Sequence, residues 1–234
     1  MRKFLAFSGG KDSTAMAYRL RELGEDFELL FTSTDNELPA VAIHIEATRA
    51  ALGVPLVIPP GPKLLPLIDS FGALPNHRQR WCTRMIKIQP CLSLLKQNPG
   101  STLIVGLRAD EPTREGLYGS DAIYRLPMRD WDWSIDDVKG YLKKIGVTVP
   151  KRTDCAFCYA QRLTEWFSLW RDEPALYAKG IELEVRTGHT FRSPSRDTWP
   201  ASLADLGREF HAGRRPRGQD KHDGAVEPCR VCRM

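Results

Sequence analysis

The sequence predicts an α/β fold: a doubly wound, mostly parallel sheet followed by a helical, cysteine-bearing C-terminal extension. Two observations carry this. Short apolar runs alternate with helix-length amphipathic stretches, the spacing of parallel βαβ units. Three polar segments, at residues 8–13, 34–35 and 106–108, each stand directly after one of those runs. Ligands of an open parallel sheet bind beyond the carboxyl ends of its strands, so all three segments should converge on one crevice.

The elements follow in order. Residues 4–7 are an apolar run and read as a buried first strand. Residues 14–23 read as a helix, with Met16, Leu20 and Leu23 on one face and Gly24 as its stop signal. Residues 27–31 form the second predicted strand, and Pro39–Leu52 the next helix, closed by Gly53. Residues 56–58, just before Pro59 and Pro60, are a third strand, and the β-branched run 102–106 is a fourth. Ser134 is placed to cap a helix over 135–145, with Asp136 and Asp137 in its first turn and Gly146 as terminator. A further helix is predicted from 163 to about 179. From Phe191 the periodicity fades. Pro194, Pro200, Pro216 and the Arg214-Arg215-Pro216-Arg217-Gly218 stretch read as a loop-rich, basic tail. The expected division is a nucleotide-binding domain over 1–150 and the extension over 151–234.

A chain of 234 residues, 42% hydrophobic and 27% charged, suffices for one α/β domain with a small appendage. No stretch approaches the ~20 apolar residues of a membrane helix, and the apolar part of the opening Met1-Arg2-Lys3-Phe4-Leu5-Ala6-Phe7 is short for a signal peptide. The expectation is a cytoplasmic protein without a membrane partner. In that compartment six cysteines point to metal binding or redox chemistry rather than disulfides. The net charge of +5 is modest, but its distribution is uneven. Between Gly72 and Gly100 stand Arg78, Arg80, Arg84, Lys87 and Lys96 without one acidic residue. That segment suits an anionic substrate or nucleic acid, or is a solvated basic face.

Residues 8–13, Ser8-Gly9-Gly10-Lys11-Asp12-Ser13, form the most specific motif. Two glycines let the backbone turn sharply and approach a ligand, and the free N–H groups of the helix that follows favour an anion. Lys11 adds a charge, and Ser8 and Ser13 add hydroxyls. The GxxxxGK[ST] spacing of a Walker A loop is absent. After the fourth strand comes Gly106-Leu107-Arg108-Ala109-Asp110-Glu111-Pro112-Thr113-Arg114. Its two arginines can fork onto phosphate or sulfate oxygens, or can pair with Asp110 or Glu111. Cys155-Ala156-Phe157-Cys158 and Cys229-Arg230-Val231-Cys232 are two CxxC pairs, the content of a four-thiolate metal site. Cys91, in an apolar helical run, reads as a buried structural thiol.

The loop at 8–13 resembles the PP-loop of the adenine nucleotide alpha hydrolase-like superfamily, which includes ATP pyrophosphatases, thiolation enzymes and phosphoadenylylsulfate (PAPS) reductases. Three more segments resemble the PAPS reductases, in the same order: Trp81-Cys82 through Lys87 to Pro90, Gly106-x-Arg108 with Arg114, and Tyr124 through Trp131. The resemblance implies an adenine nucleotide or sulfonucleotide held by Ser8, Gly9, Gly10, Lys11, Asp12, Ser13, Thr34, Asp35, Lys87, Gly106, Arg108 and Arg114. It also implies a thioredoxin-type reductant and a homodimer. In the family a cysteine in a Glu-Cys-Gly-x-His tail attacks sulfur; here Glu227, Cys229 and Cys232 are present without that Gly and His. Catalytic roles fall on Cys232, Cys229 and Lys11. The iron–sulfur branch carries a Cys-Cys pair where this chain has Cys82-Thr83. Three metal assignments stay open: a 4Fe–4S cluster on Cys82, Cys155, Cys158 and one tail cysteine; zinc on Cys155, Cys158, Cys229 and Cys232; or a redox-active tail dithiol. Three functions stay open as well. One is a PAPS or adenylylsulfate reductase. Another is an ATP-dependent sulfurtransferase or pyrophosphatase of nucleic-acid modification, with magnesium accompanying ATP. The last is a non-reducing nucleotide- or nucleic-acid-binding accessory protein.

Overall fold

A computed structural model describes residues 1–114, 123–194 and 196–220. Five parallel strands, β1 (Lys3–Ala6), β2 (Glu28–Leu30), β3 (Leu56–Val57), β4 (Thr102–Ile104) and β5 (Tyr124–Arg125), form one sheet in the order β3-β2-β1-β4-β5. Phe4 lies opposite Glu28 on one side and Leu103 on the other, which places β1 at the centre. The chain winds outward from β1 in one direction and returns to add β4 in the other. The gap between the β1 and β4 exits is therefore the switch point of the sheet, where its loops part and leave a crevice.

Alternation along the strands builds both faces. Leu5, Leu29 and Ile104 point to one side, where they pack with Met16 and Leu20 of α1 (Lys11–Glu22), Val41 and Ile45 of α2 (Pro39–Leu52), and Val138 and Leu142 of α6 (Ile135–Lys144). Phe4, Leu30 and Leu103 point to the other, against Cys91 and Leu94 of α4 (Gln89–Gln97). A strand buried on both faces reads as a continuous apolar run, which is why residues 4–7 are legible. Ser134 caps α6 as expected, its hydroxyl accepting from the Asp137 N–H while Asp137 returns the bond to the Ser134 N–H.

The C-terminal region differs from expectation in two places. The helix predicted over 163–179 is two helices, α7 (Leu163–Asp172) and α8 (Pro174–Thr187). Pro174 has no N–H to continue α7, but its fixed φ suits the first turn of a new helix. The tail read as loop contains α9 (Leu203–His211), which Ser202 caps through the Asp205 N–H. Its apolar side, Leu203, Leu206 and Phe210, belongs to a second core with Phe157, Trp166, Phe167 and Leu183. That core also takes Leu64, Leu67 and Ile68 from α3 (Leu64–Phe71) and Ile86 from a π-helical segment, Thr83–Ile88. No helix among the described residues is long and apolar enough to cross a membrane.

Glu184 joins the pieces of this second core. Its carboxylate accepts from the Phe191 N–H at 2.9 Å and the Leu203 N–H at 2.6 Å, and burial pushes it from 4.5 to about 7. The folded chain thus holds this proton more tightly than the unfolded chain. Its contribution to stability is complete below pH 4.5 and is lost as the pH rises through about 7. Over that window the Tm of the wild type should fall relative to that of Glu184→Gln and level off beyond it. A constant difference would show that the carboxyl titrates normally.

Candidate functional site

The crevice starts at the loop leaving β1. Gly9 has φ +71°, and an added Cβ would lie 3.3 Å from Ile45 Cγ1, so both the conformation and the close approach to α2 require glycine. Gly10 precedes α1 with extended backbone, and no side chain caps the helix. The first-turn N–H groups therefore remain directed at the crevice, at the positive end of the helix dipole. Two hydroxyls hold the turn: Ser13 Oγ donates to the Gly10 carbonyl at 3.1 Å and accepts from the Ser8 N–H at 3.3 Å, and Ser8 Oγ accepts from the Gly10 N–H at 3.4 Å. Lys11 is buried, with Nζ 3.4 Å from Asp12 Oδ2. Lys11, Asp12 and Ser13 form the first turn of α1, three residues before the predicted start.

The β4 exit packs onto this turn. A Cβ on Gly106 would meet Met16 Cε at 3.5 Å and the Ser13 nitrogen at 3.7 Å. Arg108, only 4% exposed, then faces three carboxylates. Its Nη1 donates to both oxygens of Asp12 at 3.1 Å, its Nε to Asp110 at 2.8 Å, and its Nη2 lies 3.1 Å from Glu111. Burial disfavours the cation, but Asp12, Asp110 and Glu111 outweigh it and raise the Arg108 pKa above its ordinary value. Arg114 donates to Glu111 at 2.9 Å. Arg129 supports the same loop from α5 (Pro127–Asp130), donating to the carbonyls of Glu111 at 2.8 Å and Arg114 at 2.6 Å. Trp131 and Trp133 pack against the first core beside Tyr141.

The loop after β2 is organised by Glu37, a residue the sequence reading missed. Its carboxylate accepts from the Thr34 N–H and hydroxyl, both at 2.7 Å, and from Ser33 Oγ at 2.8 Å. Asp35 adopts φ +60° and pairs with Lys63 at 3.1 Å. The following residues hold the first CxxC loop: the Ala156 N–H donates to the Asn36 carbonyl at 2.7 Å, and Glu37 and Cys155 form an antiparallel bridge. This docking brings Thr153 to the phosphate loop, its Oγ1 3.3 Å from where a Cβ on Gly10 would stand. Thr153 is 8% exposed, and its hydroxyl has no hydrogen-bond partner among the described residues. No sequence signal marks it.

Cys155 bridges to Glu37 in the loop after β2, and Cys82 and Cys158 lie near it. Burial pushes Cys155 up to about 12, Lys87 and Arg152 oppose the rise, and Cys82 adds to it. Burial also raises Cys158, with Cys155 and Asp154 adding, and raises Cys82 against the pull of Lys87. These mutual effects place three thiols and the Lys87 ammonium in one cluster. The π-helix explains Lys87. Residues five apart on an α-helix are rotated by about 140°, whereas i→i+5 bonding sets them one over the other. Lys87 stands five residues after Cys82, across this segment. Arg152 fixes the CxxC loop by donating to the Cys155 carbonyl and, at 2.9 Å, to Gln161 Oε1.

For a metal, the donor chemistry fits: three clustered thiols, each held protonated by burial, would ionise on binding a thiophilic centre. As placed, no three His, Cys, Asp or Glu side chains among the described residues are arranged around a single ion. Cys229 and Cys232, which the zinc and dithiol assignments need, lie outside the described residues. Cys91 is buried in α4 away from this group, its thiol pushed up to about 12 by burial.

Comparison with known proteins agrees with this geometry. The phosphoadenosine phosphosulfate reductase domain matches residues 2–152. An uncharacterized protein of Methanocaldococcus jannaschii is 25% identical over 216 residues, covering 83% of this chain and 50% of that protein. The chain thus spans about half the length of the curated relative it matches. Among solved structures, the PAPS reductase of Candida auris in its phosphate complex aligns with TM-score 0.52 and 17% identity, covering 64% of this chain and 75% of that one. The U34-tRNA thiolase NcsA of Methanococcus maripaludis with its [4Fe-4S] cluster aligns with TM-score 0.50 and 13% identity, covering 90% and 81%. These two likenesses establish the fold. With strand order, phosphate loop and domain match in agreement, the chain belongs to the phosphoadenosine phosphosulfate reductase domain family.

Proposed function

We propose that this protein is an adenine-nucleotide-dependent enzyme of sulfur chemistry, binding ATP with magnesium at the phosphate loop and a 4Fe–4S cluster at Cys82, Cys155 and Cys158. The observation that carries it is the proximity of Cys82 and Cys158 to Cys155, which the Asn36–Ala156 and Glu37–Cys155 pairings hold at the loop after β2. A tail cysteine, Cys229 or Cys232, would complete the four thiolate ligands such a cluster takes. The cluster would supply a sulfur-binding or electron-transferring centre. The chain's own groups hold the anion: the α1 N-terminus and Lys11 meet phosphate oxygens, and Thr153 Oγ1 donates to one of them.

The charge balance suits a nucleotide that arrives with its own cation, as ATP does with magnesium. Lys11, Arg108 and Arg114 each meet a carboxylate among Asp12, Asp110 and Glu111, so the crevice offers little surplus positive charge to the phosphates. A magnesium ion accompanying ATP would offset the repulsion between Asp12 and the phosphates. Arg108 acts as a positioning residue, orienting Asp12 and the loop. The second reading is sulfonucleotide reduction with a thioredoxin-type reductant, supported by the family match. Tighter binding of PAPS than of ATP, with sulfite release in the presence of a dithiol, would decide for it.

Anaerobically purified protein should be brown and carry iron, with Cys82→Ser losing the iron and Cys91→Ser keeping it. A colourless, zinc-bearing protein would remove the cluster. Lys11→Ala should weaken ATP binding, measured by calorimetry with magnesium, by about 1–3 kcal/mol through loss of a charge-assisted contact. Thr153→Val separates a ligand contact from a structural one. It removes an unpartnered buried hydroxyl, so the unliganded protein should melt at the same or a higher temperature while ATP affinity falls. A lower Tm with unchanged affinity would show that Thr153 serves packing alone.

A further inference from the structure

Phe71, Ala73, Gln79, Arg80, Trp81 and Arg84 line an open groove of about 600 Å³ that the nucleotide site does not use. Its floor is an aromatic corner. The Phe71 and Trp81 rings lie 5.1 Å apart and tilted by 56°, and Phe71 is 47% exposed. The Trp81 Nε1 hydrogen is buried and has no acceptor among the described residues. Arg80 and Arg84 are joined by a helical bond from the Arg84 N–H to the Arg80 carbonyl, so their side chains rise from one helix face. No acidic residue occurs from Gly72 to Gly100, and Asp69, on α3, is held by Arg186 at 2.7 Å. Trp81 is followed directly by Cys82 of the thiol cluster.

We infer that this groove binds single-stranded nucleic acid, an unpaired base stacking on Phe71 and Trp81 while the adjoining phosphates meet Arg80 and Arg84. Exposed aromatic faces beside concentrated positive charge are the two ingredients of single-strand recognition, since every base has a π-face and every linkage a negative charge. A duplex keeps its bases stacked on each other and cannot fill the corner. The chain's own residues 221–234 complement the groove poorly. They carry Lys221, Arg230 and Arg233 against Asp223 and Glu227, a net positive charge of the same sign as the groove. As a ligand of the groove, the strand stands independently of the reading above.

The test uses the full chain and a short fluorescein-labelled single-stranded RNA, followed by anisotropy. The wild type should bind, with affinity falling as salt rises. Trp81→Ala and Phe71→Ala should each weaken binding about tenfold, the scale of one lost base stack. Arg84→Glu, at an exposed position, should weaken binding by a comparable factor and lower the salt dependence by about one released counterion. ATP affinity should be unchanged in Arg84→Glu, and RNA affinity unchanged in Lys11→Ala, so failure of the groove and failure of the nucleotide site are told apart. Neither a duplex of the same sequence nor polyglutamate should displace the strand. Absence of binding by the wild type, indifference to both Trp81→Ala and Arg84→Glu, or displacement by polyglutamate would overturn the inference.

Discussion

The crevice depends on one buried cation. Arg108 arrives from the β4 exit and meets Asp12 in the first turn of α1, residues 96 apart in the chain, together with Asp110 and Glu111 from its own loop. A guanidinium this deeply buried is tolerated only when its donors are matched, and removing one side of such a cluster costs about 3–5 kcal/mol. The cluster joins the two strands that flank the switch point. It also reaches α6, because Asp110 Oδ2 accepts from the Ile135 N–H at 3.2 Å. Loop geometry, sheet and helix packing are thus set by one network of charges.

A second joint couples the two cores. Strand β2 ends in a loop that Glu37 braces from within, and that loop holds the CxxC segment through backbone bonds. Backbone pairing fixes position more firmly than exposed side-chain contacts, since it leaves few rotamers to choose among. The consequence is functional. Thr153 and Cys155 belong to the C-terminal part of the chain, yet Thr153 stands at the phosphate loop and Cys155 pairs with the loop after β2. The π-helix at Thr83–Ile88 makes the matching approach from the other side, with Cys82 at its start and Lys87 one turn on. Such irregular turns carry a local cost and are concentrated where a side chain must be re-aimed.

Several features were legible because their causes are local. Pro39 and Gly53 mark both ends of helix α2 in the sequence, since a proline at the first turn and a left-handed glycine at the close need no distant partner. The cap at Ser134 was legible for the same reason. The pattern failed where long-range packing decides. Helix α9 is short and lies among Pro194, Pro200 and Pro216, which read as loop; its apolar face, Leu203, Leu206 and Phe210, is buried in the second core. The start of α1 was placed late because Lys11, Asp12 and Ser13 look like loop residues; the crevice makes their exposed N–H groups useful. The sequence lets Arg108 and Arg114 meet a substrate anion or pair with neighbouring carboxylates, and in the folded chain both are ion-paired.

By itself the sequence determined the strand–loop–helix at residues 3–22, the alternation that makes a doubly wound sheet, the basic run from Arg78 to Lys96 and the cysteine content. Each follows from spacing within a few residues or from composition. Only the tertiary structure decided which charges cancel, that Thr153 reaches the phosphate loop, and that Phe71 and Trp81 form a corner beside the arginines. Those outcomes depend on distances between segments far apart in the chain, which chain spacing does not encode and packing does.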